Sequence, residues 1–226
     1  MPLRLPDKLP AIELLKHENI FVMDESRAHS QEIRPLKICV LNLMPLKITT
    51  ETDLVRLLSN TPLQLEVYFM KLKSHTPKNT PIEHMMMFYK DFQELSKQKF
   101  DGMIVTGAPI ETMEYTEVRR EDIIKVHGLD NIAESQESGV SIVMARGGRE
   151  FFVTGHLEYA PNTLDKEYKR DMGKRDDVDL PKNYYYNDDP MQAPLVTWRA
   201  HANLFYSNWI NYYVYQETPY NIDDIK

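Results

Sequence analysis

The chain has 226 residues, 42% of them hydrophobic and 27% charged, with a formal net charge of −7. That is enough sequence for one large domain with its own core, and the acidic balance argues against a nucleic-acid binder, whose footprint would be basic. No apolar run approaches the roughly eighteen residues of a membrane span, the opening residues lack a signal-peptide core, and a single cysteine, Cys39, leaves no internal disulfide and suits a reducing, cytoplasmic compartment.

Residues 1–10, punctuated by Pro2, Pro6 and Pro10, are expected to run extended along the surface. A short helix follows over 11–17, a short strand over 18–23 and a polar loop over 24–32. Residues 37–43, KICVLNL, make a nearly continuous apolar run, as expected of a strand buried on both faces, and Met44-Pro45 stop it. Thr49 or Thr50 then caps a helix over 51–58, with Leu54, Leu57 and Leu58 on one face. The next strand is 63–72 and the loop after it, 73–81, is rich in Lys, Thr and Pro. A helix is predicted over 82–95, where Met85, Met86, Phe88, Phe92 and Leu95 recur at near-helical spacing and read as core. Residues 100–105, FDGMIV, are a third buried strand, ending in Thr106-Gly107-Ala108-Pro109. Strand and helix in alternation predict an α/β fold with a doubly wound, mostly parallel sheet. The small residues Gly107 and Ala108 permit backbone N–H groups to approach an oxyanion.

Beyond this point the pattern changes. Residues 110–115 read as a loop, 116–125 as a charged helix start, and 132–133 and 140–145 as β-like, with a tight hairpin at Gly147-Gly148 before 150–153. A helix over 162–172, an acidic, tyrosine-bearing loop over 173–194 and an aromatic, amphipathic helix over 200–215 complete the reading.

The chemistry concentrates in 151–170. An apolar run ends at Thr154-Gly155 and delivers His156 and Glu158 two residues apart, a spacing that in extended backbone puts both side chains on one side. Glu158 can then orient one ring nitrogen and stabilise the imidazolium, leaving the other nitrogen as a base. Arg170 falls on the following helix, where its planar fork suits a carboxylate. His-x-Glu is also what a surface histidine beside a surface acid looks like; its place between a strand and a helix is what favours a site. No nucleophile accompanies the pair. Cys39 lies inside an apolar strand, where burial suppresses the thiolate, and no G-x-S-x-G elbow offers a serine. The histidines and acids lack metal-ligand spacing, so no metal and no cofactor are expected.

Several long stretches resemble one family, the homoserine O-acyltransferases of methionine biosynthesis (homoserine O-succinyltransferase or O-acetyltransferase type). They are NIFVMDESRA (19–28), IRPLKICVLNLMPLKITTETDLVRLLSNTPLQLEV (33–67), HTPKNTPIEH (75–84), FDGMIVTGAPIETMEY (100–115), TEVRREDI (116–123), FVTGHLEY (152–159), EYKRD (167–171) and TWRAHANLFYSNWINYYVYQ (197–216). The resemblance implies a class I glutamine-amidotransferase-like, flavodoxin-like domain over 1–226, with L-homoserine and acetyl-CoA as substrates and no nucleic-acid or membrane partner. It implies that His156 is the catalytic base, Glu158 its partner, and Arg170 the grip on the homoserine carboxylate. Glu111 matches the position that separates acyl donors, glutamate going with acetyl-CoA and glycine with succinyl-CoA. An anionic side chain there would repel the succinyl carboxylate, although Glu111 also reads as a solvated loop acid.

The departures decide the rest. In the family a strand ending in Cys-Trp forms a sharp elbow between the Gly-Ala-Pro strand and His-x-Glu, and its cysteine carries the acyl group. Here the sequence passes from Met113-Glu114-Tyr115 directly to TEVRREDI, which in the family lies well downstream. An internal deletion with its junction near 115–116, removing the elbow, its helix, and a substrate-binding lysine and serine, is therefore expected. Leu157 and Ala160 stand where the family usually has Pro and Asp. Two readings follow: an acetyl-CoA-dependent homoserine O-acyltransferase, or a non-catalytic remnant that binds homoserine or a full-length partner at most. Without a nucleophile, covalent transfer through the enzyme cannot proceed. Removing a central strand and helix exposes sheet edge and apolar helix faces, so association through the gap, as aggregate or homodimer, is expected.

Overall fold

In the computed structural model, which describes residues 3–18, 20, 22–24, 35–108, 118–174 and 178–218, the apolar runs of the first half line up as parallel strands. The strands are β1 (Leu3–Leu5), β2 (Val22–Asp24), β3 (Leu36–Leu41), β4 (Leu65–Met70), β5 (Tyr89–Lys90) and β6 (Gly102–Val105). They are ordered β2-β1-β4-β3-β6, every pairing is parallel, and β5 joins β4 beyond the end of β1. β3 and β4 pair along their whole length, from Leu36 opposite Leu65 to Leu41 opposite Met70. Parallel strands need crossover connections, usually helical. These are α1 (Pro10–His17), α2 (Lys47–Leu58), α3 (Ile82–Phe88) and α4 (Phe92–Leu95).

Several local expectations change. The opening residues are not simply surface chain: β1 is a strand of the sheet, and Leu5 and Leu9 are buried. α2 begins at Lys47, before either threonine, and has no side-chain cap; Thr50 instead donates its hydroxyl to the Leu46 carbonyl at 3.2 Å. The helix predicted over 82–95 is broken into α3, β5 and α4, because Tyr89 takes an extended conformation and Asp91 starts a new helix with a reciprocal capping box to Glu94. Met86 and Phe92 therefore face solvent rather than core.

The core lies on one face of the sheet. Leu15, Ile38, Val40, Val55, Leu58 and Leu65 are fully buried there, each stabilising the fold by about 1.5–3 kcal/mol relative to an exposed side chain. On the other face α4 brings Leu95 over Cys39 and Met70. That cover stops short of β6, where Met103 and Val105 are 49% and 57% exposed, so this strand is not buried on both faces as its apolar run suggests.

The second half of the chain builds an antiparallel sheet, β7 (Leu129–Ser135), β8 (Gly139–Ala145) and β9 (Glu150–Val153), closed at one end by α5 (Arg120–Ile123). Ile123, Val140 and Val143 form its small core. After α6 (Thr163–Met172), α7 (Arg199–Asn208) runs into a π-helical segment, Trp209–Tyr215. This last element joins the two sheets. Ile210 and Val214 enter the main core, while Phe151 of β9 packs edge-on against Phe205 and Tyr213, with ring centroids 5.7 and 4.9 Å apart. Gly148, in the β8–β9 turn, has φ +95°, and a Cβ there would lie 2.0 Å from the Tyr213 ring, so only glycine fits. No described helix is long and apolar enough to cross a membrane.

Candidate active site

The ends of three strands come together around Met44, Gly107 and His156. Past β3, the backbone N–H of Leu43 donates to Thr106 Oγ1 at 2.8 Å, which ties the carboxyl end of β3 to that of β6. Past β9, Thr154 is tethered to β8 through its N–H to the Ser141 carbonyl (3.0 Å) and its hydroxyl to the Val140 carbonyl (2.8 Å). The chain is thereby released at a fixed point, and His156 follows two residues later. The extended backbone expected there is instead a turn at Leu157-Glu158. The turn brings the two side chains together all the same: His156 Nδ1 lies 2.7 Å from Glu158 Oε1.

The imidazole is held on three sides. It stacks on Tyr159, with centroids 4.2 Å apart and planes 13° from parallel. Its far edge points at Gly107, where a Cβ would sit 3.1 Å from His156 Cε1 and 3.7 Å from both Nε2 and Met44 Sδ. Nε2 is thus presented beside the Gly107-Ala108 backbone at the end of β6, within the same space as Met44. The Glu158 hydrogen bond raises the affinity of His156 for its proton, burial opposes this, and the Glu158 charge adds to the rise.

A folded-state pKa above the unfolded value sets the sign of the pH dependence. The stabilisation is complete below the ordinary histidine value of about 6.5 and is lost as pH rises through the raised folded value. Comparing the thermal midpoints of the wild type and Glu158→Gln from pH 5.5 to 8.5 is expected to show a gap that narrows with rising pH. An NMR titration of His156 in Glu158→Gln should also move its midpoint down. A midpoint that stays put would separate the carboxylate from the ring.

A groove lies between the Met44–Asp53 stretch and α6, with Glu158, Tyr159, Glu167 and Arg170 along the other side. Arg170 faces it, as the helical position predicts, but its guanidinium is bidentate to Asp171, Nε and Nη2 each 2.7 Å from a carboxylate oxygen. An incoming carboxylate would share or displace that partner. α6 is anchored from the tyrosine-bearing loop: Tyr184 OH donates to the Pro161 carbonyl (2.6 Å) and Tyr185 OH to Asp165 (2.8 Å). Asp53 is 4% exposed, and burial raises its pKa while Arg56 and the Ala160 N–H lower it, so this acid clasps α2 to the His156 loop. Glu111 and the 115–116 junction lie outside the described residues.

Cys39 is 3% exposed in the cluster with Met70 and Leu95, and burial pushes its thiol up to about 11. Among the described residues there is no other cysteine, and its side chain sits on the sheet face rather than at the strand end.

The model of the homoserine O-succinyltransferase family matches residues 2–119 and again 114–220. The chain belongs to this family. It is 52% identical to a protein of Bacteroides thetaiotaomicron and 52% identical to one of Bacteroides fragilis, and 45% identical to one of Brevibacillus brevis. Each comparison runs over 305 residues and covers 100% of this chain and 100% of the relative. All three relatives are named homoserine O-acetyltransferase.

One set of residues in this family member was not anticipated from local pattern. Behind the Met44 turn, Glu51 (1% exposed) meets His84 Nε2 at 3.0 Å and accepts from Tyr89 OH at 2.5 Å. Asn42 Nδ2 donates to Tyr89 OH at 2.9 Å, and the ammonium of Lys47 donates to the carbonyls of Asn42 (2.7 Å) and Met44 (3.2 Å). Burial lowers the pKa of Lys47 and the Glu51 charge offsets part of that loss. The sequence does carry a signal for it: Glu51 shares a helical stripe with Leu54 and Leu58, three and seven residues on, so an acid stands in a buried row.

Proposed function

We propose that this chain carries the acceptor half of an acetyl-CoA-dependent homoserine O-acyltransferase, but not the nucleophile, and that it does not turn over by itself. The observation that carries the reading is the way the family model matches, in two pieces that meet at 114–119. The relatives' comparisons run over 305 residues and this chain supplies 226. The difference, 79 positions, is read as an internal block absent near 115–116 from a single class I glutamine-amidotransferase-like domain.

The residues present fit their assigned parts. In a form that carries the nucleophile, His156, held by Glu158, would take the proton from the homoserine hydroxyl through Nε2 as that oxygen attacks the acyl carbonyl of the thioester, and would return it to the departing thiolate as the C–S bond breaks. The Gly107 and Ala108 N–H groups receive the negative charge that develops on the carbonyl oxygen. Arg170 binds the homoserine carboxylate in competition with Asp171, and Glu111 selects acetyl over succinyl; the names of the relatives, rather than the name of the family model, agree with that selection. What is missing is a thiolate to accept the acyl group first. Cys39, buried and with a raised thiol pKa, cannot supply it. The compartment is cytoplasmic on this reading, as suits an acyl-CoA substrate and a single reduced cysteine.

An acyl-transfer assay tests this. The purified chain, offered L-homoserine with acetyl-CoA and separately with succinyl-CoA, should release no CoA that depends on homoserine, while the Bacteroides thetaiotaomicron relative assayed in parallel does. Homoserine-dependent release, surviving alkylation of Cys39, would mean direct transfer from acetyl-CoA to the hydroxyl and would overturn the reading.

A further inference from the structure

We propose that Tyr159 is a positioning residue for His156: its ring is a platform, held from three separate elements, that sets the plane of the imidazole. This rests on the reading of His156 as the base and deepens it.

Glu158 alone does not fix that plane. An ionised carboxylate can only accept, so the 2.7 Å contact puts the proton on His156 Nδ1 and leaves the lone pair on Nε2. A single hydrogen bond still lets the imidazole swing about the Nδ1 contact. The Tyr159 ring, 4.2 Å away and 13° from parallel, removes that freedom. The plane matters because the far edge of the imidazole passes close to Gly107, where a Cβ would lie 3.1 Å from Cε1 and 3.7 Å from Nε2.

What makes Tyr159 more than a neighbour is how it is held. The peptide that joins it to Ala160 has both polar groups taken. Its carbonyl accepts from Trp198 Nε1 at 3.2 Å, and its N–H, that of Ala160, donates to the buried carboxylate of Asp53. At the far end of the side chain the phenol donates to Glu167 Oε1 at 3.1 Å. Burial, and then the Glu167 charge, push the phenol up, so it stays protonated and able to donate. Asp53 belongs to α2, Glu167 to α6, and Trp198 directly precedes α7, so no single element carries the platform. Trp198 is itself braced against Tyr184, with centroids 6.0 Å apart and planes 22° from parallel. Supporting bonds of this kind are what keep a reactive side chain in one productive geometry.

Nitrogen NMR of the full 226-residue chain, at a pH above the His156 titration, reads which ring nitrogen carries the proton. The wild type is expected to show Nδ1–H, with imidazole protons shielded by the phenol ring. Tyr159→Leu should lower the ratio of Nδ1–H to Nε2–H roughly 2- to 10-fold, the factor an aromatic pair is worth, and should abolish the shielding. Tyr159→Phe keeps the stack and should restore the shielding and most of the ratio. Trp198→Phe leaves both stacked rings in place and removes one anchor. It should move the ratio the same way by less, and it decides the matter if the leucine variant does not fold. An unchanged ratio in Tyr159→Leu, or in Trp198→Phe where leucine does not fold, would overturn the proposal, because Glu158 would then hold the ring by itself. A wild type with its proton on Nε2 is a separate failure: no lone pair would face Gly107, and the assignment of His156 as the base would fall with it.

Discussion

Glu51→Ala is expected to destabilise the protein by about 3–5 kcal/mol, in the range for stripping one partner from a buried charged network. The carboxylate is 1% exposed and receives His84 and Tyr89, which are themselves 8% and 4% exposed. Alanine leaves an imidazole nitrogen without its partner and the Tyr89 O–H without an acceptor, although that oxygen still accepts from Asn42, in a place water does not reach, and each such loss costs about 1–3 kcal/mol. It also withdraws the charge that supports the buried Lys47 ammonium, whose bonds to the Asn42 and Met44 carbonyls shape the turn beside His156. The thermal midpoint should fall by roughly 10 °C, at about 2–4 °C per kcal/mol for a domain of this size. Glu51→Gln keeps one acceptor and should lose less than half as much. Equal losses for the two variants would show that the carboxylate charge, and neither the shape nor the single acceptor that glutamine retains, is what Glu51 contributes.

Trp209→Ala is the second large effect, at about 3 kcal/mol, the low end for a buried aromatic because this ring is only partly enclosed. The indole lies over Gly102, where a Cβ would be 3.0 Å from Trp209 Cζ2 and 3.0 Å from Ile38 Cδ1. Deleting it empties the space above β6 at the point where the closing helix reaches the edge strand. The sign of a second substitution makes the argument specific. Gly102→Ala should destabilise the wild type by crowding the indole, yet recover part of the loss in the Trp209→Ala background by filling the vacated volume. A double-mutant cycle on the unfolding free energies measures this coupling. A coupling of zero would mean that the ring does not pack on position 102 in solution.

These two clusters also mark where local pattern stops being informative. The apolar runs that became β3, β4 and β6 were legible because strands of a parallel sheet need little more than continuous β-branched and aliphatic sequence. His156 and Glu158 were legible as a pair because two residues cannot carry them far apart, and the turn at Leu157 delivered what extended backbone was expected to deliver. Tyr89 was not. Its neighbours make a convincing helical stripe, but its hydroxyl is needed by Glu51, 38 residues away, and that contact holds it in β5. The early start of α2 has the same origin: Lys47 is drawn under the end of β3 by carbonyls that only tertiary folding supplies. Residues 1–10 carry prolines that argue for surface chain, and the burial of Leu5 and Leu9 overrides them. Arg170 sat where its helix predicted, but its engagement by Asp171 depends on rotamers that spacing does not encode.

The groove draws one wall from residues before position 60 and the other from residues after 155, one from each of the two matched family segments. Any small molecule that settles there works as a cross-link between the two halves of the polypeptide. Its binding free energy adds to stability as RT ln(1 + [L]/Kd), and it does so for both halves at once, because neither can unfold without emptying the groove. Occupancy thus makes the two halves melt as one unit.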